Sequence, residues 1–87
     1  MSNLFYYRVV KNSVHSKEYK RFRENLIKAR KQAGLTQIEA AKALGQPQPY
    51  ISKCESGERR VDAVELAKFA KLYKKSLDFF VSWVLDA

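Results

Sequence analysis

Residues 35 to 60, LTQIEAAKALGQPQPYISKCESGERR, constrain the chain most, because they carry start and stop signals for two short helices set only a few residues apart. Thr36 followed three residues later by Glu39 is a capping box, in which each side chain can satisfy an orphan backbone N–H of the other residue. From Thr36 onward Ala40, Ala41 and Leu44 recur at helical spacing, and Gly45 follows, free to take the left-handed conformation that ends a helix. Pro47 and Pro49 flank Gln48, and proline is tolerated there only if a helix is beginning, since first-turn N–H groups lack intrahelical partners. The spacing predicts a second short helix over about residues 47–55, with Tyr50, Ile51 and Cys54 facing inward and Gln48, Ser52 and Lys53 on a polar face.

The flanking sequence supplies three more helices. Tyr19, Phe22, Leu26, Ala29 and Ala33 form one stripe over residues 17–33, and Gly34 is the stop. Asp62 can cap a fourth helix with core candidates Val64, Ala67, Phe69, Ala70 and Leu72. Ser76 or Asp78 can start a fifth, carrying Leu77, Phe80, Val81 and Val84, after a connector at Lys74 and Lys75. The expected architecture is all-α, with residues 17–87 as the helical domain and residues 1–16 as a short N-terminal extension. Residues 4–10, LFYYRVV, are rich in the aromatic and β-branched types that favour strands. They either pack across the chain's own core or pair with another subunit.

Composition narrows the function classes. A length of 87 residues with 46% apolar content permits one domain with a thin core. The single cysteine, Cys54, excludes an intrachain disulfide and offers no metal-ligand cluster; a buried, inert thiol is expected. The one histidine, His15, stands in a polar stretch with no Cys or Asp beside it to orient it, and no phosphate-binding glycine loop occurs, so neither an enzyme nor a cofactor or metal site is expected. No run approaches the roughly 20 apolar residues that span a bilayer, and residues 1–10 lack the basic segment of a secretory signal, so the expected location is the cytoplasm. The formal charge of +8 is uneven: residues 8–31 hold nine Lys or Arg against two Glu, whereas residues 32–87 hold eight against seven acidic residues. A basic face of this kind attracts a phosphate backbone.

Ala29 and Arg30, then Gly34, Leu35, Thr36 and Gln37, Leu44 and Gly45, Tyr50, Ile51, Ser52 and Lys53, and finally Glu55 and Gly57 together resemble the phage-repressor (Cro/CI, or xenobiotic-response-element) family of helix-turn-helix domains over about residues 20 to 82. The resemblance implies a compact five-helix, lambda-repressor-like bundle whose third helix enters the DNA major groove. It places Gln37 at a phosphate and against the first residue of the recognition helix, and it makes Arg30 and Glu55 a structural ion pair between helices one and three. Gln48 takes the first reading position, where an amide can donate and accept at once, as the adenine edge requires. Ser52 and Lys53 lie farther along that face and can reach bases or backbone. Ser56, Arg59 and Arg60, around Gly57, form a loop that runs beside phosphates in the family, weakened here by Glu58. Pro49 departs from the usual polar residue and can offer only apolar contact to a thymine methyl. Pro47 replaces the usual Ser or Thr cap, and Cys54 stands where an aliphatic core residue is usual.

The function implied is a sequence-specific double-stranded DNA-binding transcriptional regulator, with repression as its simplest output, of bacterial or phage origin and associated with the nucleoid when bound. Phe79, Phe80 and Trp83 exceed what a bundle of this size readily hides, so a homodimer through the last helix, reading an inverted-repeat operator, is expected. Two alternatives share the fold: an antitoxin that binds DNA and a protein toxin, and a protein-interaction adaptor that no longer reads DNA.

Overall fold

The computed structural model describes residues 16–85, which form α1 (Lys17–Gln32), α2 (Gln37–Ala43), α3 (Gln48–Ser56), α4 (Ala63–Tyr73) and α5 (Leu77–Leu85), with no strand among them. The all-α, five-helix fold expected from the sequence is therefore observed. The strand-like reading of residues 4–10, His15 and the side chains of Trp83 and Val84 lie outside the described residues.

Helices α1, α2 and α4 each begin where a side chain satisfies a first-turn N–H, and α3 is an exception. Ser16 Oγ accepts from the Tyr19 N–H at 3.0 Å and caps α1, so the helical domain reaches one residue into the stretch assigned to the extension. Both halves of the predicted capping box form at α2, with Glu39 N–H donating to Thr36 Oγ1 at 3.1 Å and Thr36 N–H donating to Glu39 Oε1 at 2.9 Å. A second box, between Asp62 and Glu65, starts α4. At α3, Pro47 is the extended N-cap and provides no side-chain hydrogen bond, as the loss of a hydroxyl there predicts. At α5 the helix opens on Leu77, leaving Ser76 just ahead of it and Asp78 in the first turn, where a carboxylate suits the helix dipole.

The turn between α2 and α3 depends on Gly45, whose φ of +67° lies in the left-handed region. No atom lies within 4 Å of a Cβ placed there, so the need for glycine is conformational and not one of space. Reversal at this point lets the Gln46 N–H reach back to the Ala41 carbonyl at 2.9 Å and sends the chain straight into α3.

Helix α1 is the support on which α3, α4 and α5 rest. It contributes Phe22, Leu26 and Ala29 to the core, which Ala40 and Ala41 of α2, Ile51 and Cys54 of α3, Phe69, Ala70 and Tyr73 of α4 and Phe80 of α5 complete. Fully burying side chains such as Leu26, Ile51 or Phe80 stabilises the fold by about 1.5–3 kcal/mol each. Four expected core positions prove exposed. Ala33 is the cap residue beyond α1, Val64 and Ala67 lie on the outer face of α4, and Leu77 opens α5. The reason in α4 is phase: the buried stripe runs Leu66, Phe69, Ala70, Tyr73, and Val64 and Ala67 fall on the opposite side of a 3.6-residue period.

Candidate nucleic-acid interface

A connected set of polar side chains ties the first turn of α3 to the core. Arg30 and Glu55, 9% and 5% exposed, form a two-point pair, with Nε to Oε2 at 2.7 Å and Nη2 to Oε1 at 3.2 Å. The hydrogen bond to Glu55 holds the Arg30 guanidinium above its ordinary pKa, against the opposing effect of burial. Arg30 Nη1 also donates to the Leu35 carbonyl at 2.9 Å, fixing the α1–α2 turn. Gln37 Nε2 donates to Glu55 Oε1 at 2.9 Å, and Gln48 Nε2 donates to Gln37 Oε1 at 3.0 Å.

The polarity of this relay follows from its anchor. A carboxylate can only accept, so Gln37 must turn its NH2 toward Glu55 and its carbonyl toward Gln48. Gln48 then spends one N–H on Gln37 and keeps a second N–H and its carbonyl oxygen, one donor and one acceptor, on an exposed side chain.

The other sequence-selected residues lie around this relay. Pro49 and Lys53 are exposed on α3, while Ser52 is half-buried and its hydroxyl donates to the Pro49 carbonyl at 3.2 Å. Ser56 Oγ lies within hydrogen-bond reach of the Lys53 carbonyl and of Glu58 Oε2, which tightens the loop. Arg60 is exposed. Arg59, placed at phosphates by the resemblance, is exposed but engaged within the chain: Nη1 pairs with Glu65 Oε2 at 2.8 Å and the guanidinium lies 4.8 Å over the Tyr50 ring. Beside it, an open groove of about 500 Å³ is walled by Pro47, Pro49 and Tyr50, with Lys53 and Glu58 at its rim.

Two contributors escaped sequence reading. Arg23 of α1 donates to the Glu55 carbonyl at 3.1 Å, covering the C-terminal end of α3. It lies so close that a Cβ on Gly57, at φ +88°, would stand 2.9 Å from Arg23 Nε. Its place one turn after Tyr19 was the available signal. Glu65 is the other, and the Asp62-x-x-Glu65 spacing could have disclosed its capping role though not its reach to Tyr50 and Arg59.

Beneath the interface lie two tyrosines, and both hydroxyls are pushed above the ordinary tyrosine value, chiefly by burial. The hydrogen bond to Glu65 adds to the shift at Tyr50, and the Glu55 charge adds at Tyr73, whose buried OH has no hydrogen-bond partner among the described residues. The folded protein thus holds these protons more tightly than the unfolded chain does. Stability should be intact below the free tyrosine pKa of about 10 and decline as pH rises above it. Urea midpoints measured at rising pH check this, and a midpoint unchanged to about pH 11 would contradict it.

No group of His, Cys, Asp or Glu among the described residues could hold a metal ion, and no helix there is long and apolar enough to cross a membrane. A family model described as Helix-turn-helix matches residues 26–80, more than half of the chain. Neither the curated proteins nor the solved structures searched contain a match.

Proposed function

The chain belongs to the Cro/CI-type helix-turn-helix family, a family of DNA-binding regulators, and from that premise we propose that it is a sequence-specific repressor that reads the major groove with α3 as a homodimer on an inverted-repeat operator. The observation that carries the reading is the relay from Arg30 through Glu55 and Gln37 to Gln48, because it immobilises a glutamine at the first turn of α3 while leaving it one donor and one acceptor. That pair matches N7 and N6 of adenine. Pro49 would give apolar contact beside it, Ser52 and Lys53 would extend the reading face, and Gln37, Ser56, Arg60 and the loop around Gly57 would follow the phosphates. Base contacts specify and phosphate contacts position.

A two-fold dimer would set two copies of α3 about one DNA turn apart. Leu77, 51% exposed on α5, supports a partner surface on that helix. The mass of the protein in solution at micromolar concentration, free and on a duplex, tests this part. A dimer in either state is the expected result, and one monomer per duplex would refute it.

A further inference from the structure

Glu65 of α4 is the point at which three separate elements meet. Its Oε2 accepts from the Tyr50 hydroxyl of α3 at 3.1 Å and pairs with Arg59 of the following loop at 2.8 Å. Its Oε1 accepts from the Asp62 N–H at the start of α4 at 3.0 Å. Burial alone would raise the pKa of this carboxyl, yet the hydrogen bonds from Arg59, the Asp62 backbone and Tyr50 outweigh burial and hold it below the ordinary glutamate value. The carboxylate is therefore the ionised hub of the cluster. The Tyr50 ring makes two further contacts: it stacks on Phe69, centroids 6.1 Å apart, and the Arg59 guanidinium lies 4.8 Å from its centroid.

The rotation of α3 about its own axis decides which side chains face a groove, and α3 has no side-chain N-cap to fix it. The Gln37 to Gln48 bond restrains one side of its first turn, and Tyr50 is the next residue with an anchor outside the helix. Arg59, meanwhile, has a carboxylate at 2.8 Å, and a cation already neutralised in this way releases no counterion unless the pair is broken. Arg60, next in the chain, is exposed as Arg59 is, but forms no ion pair among the described residues.

We propose that Glu65 is a positioning residue for DNA recognition, which acts through Tyr50 and Arg59 to fix the orientation of α3, and that Arg59 is its structural counter-ion, leaving Arg60 as the loop cation that neutralises a phosphate. This rests on the DNA-binding reading above and adds to it a residue outside the reading helix and loop.

The test compares Glu65→Gln, Arg59→Ala, Arg60→Ala and the wild type for binding to a preferred duplex and to a random duplex across a range of salt, with melting followed for each. Glu65→Gln keeps a hydrogen-bonding side chain of the same shape, so folding is retained. It should lose about tenfold in affinity for the preferred duplex, the size of one charge-assisted hydrogen bond, while binding to random duplex does not fall. Arg59→Ala should show a similar loss with an unchanged salt slope, and Glu65→Gln combined with Arg59→Ala should lose little more than either single variant. Arg60→Ala should lower the slope by about 0.9, the value for one phosphate. A slope lowered equally by Arg59→Ala would overturn the proposal while leaving the DNA reading intact, as would an unchanged or raised preferred-site affinity in Glu65→Gln. Wild-type protein that binds no duplex at any salt would overturn both.

Discussion

Arg30→Ala should destabilise the domain by about 3–5 kcal/mol, because it strands the Glu55 carboxylate in a site where only 5% of that residue is exposed. Among the described residues the Gln37 amide would be the remaining side-chain donor to Glu55, and a neutral amide does not offset the desolvation of a buried charge. The turn between α1 and α2 would also lose the Arg30 bond to the Leu35 carbonyl. In a domain of this length the loss corresponds to a fall in melting temperature of about 15 °C or more. A second variant separates charge from packing. Replacing both partners by apolar residues, Arg30→Met with Glu55→Leu, should recover much of the stability, since a buried pair gains little over a well-packed apolar one. That variant should nevertheless lose sequence preference, because the Gln37 to Gln48 relay would have no anchor. Melting of Arg30→Ala within about 4 °C of the wild type would contradict the structural role.

Gln48→Ala should weaken binding to the preferred duplex by about 1–3 kcal/mol and leave random-duplex binding unchanged. Its side chain is exposed and its one described bond is to Gln37, so the fold itself should tolerate the change. Gln37→Ala offers a graded comparison: it leaves Gln48 in place but unbraced, and should broaden the preferred sequence more than it lowers affinity at the best site. Competition between preferred and random duplex at fixed salt gives both quantities. An equal loss on the two duplexes would show that Gln48 contacts backbone and not a base edge.

The parts of this fold that could be read in the sequence are those written in local chemistry. Thr36 with Glu39, Gly45 and the pair of prolines mark helix ends within a few residues, and the helix termini they predict are those of α2 and α3. The apolar stripe of α1 was equally legible through Phe22, Leu26 and Ala29. In α4 the stripe was partly misjudged: Phe69, Ala70 and Leu72 do pack in or against the core, but Val64 and Ala67 are as apolar as Leu66 and Tyr73, and only packing against the rest of the bundle decides the phase. The interface divides in the same way. Arg30, Glu55, Gln37 and Gln48 came from a resemblance, and their distances give that set a physical basis. Arg23 and Glu65 act 32 and 15 residues along the chain from their partners Glu55 and Tyr50, a separation that no local pattern encodes. Arg59 shows the same limit: nothing in the basic loop itself encodes the carboxylate of the next helix that pairs with it.

The central claim is that α3 reads sequence. Selection of bound sites from a random duplex pool by the full chain, at about 150 mM salt so that electrostatic binding alone is suppressed, measures it most directly. Enrichment of paired inverted half-sites, centred about one helical turn apart and carrying an invariant adenine opposite Gln48, is the predicted result. A retained pool indistinguishable from the starting one would contradict the claim and leave a protein partner, such as a toxin, as the ligand to seek.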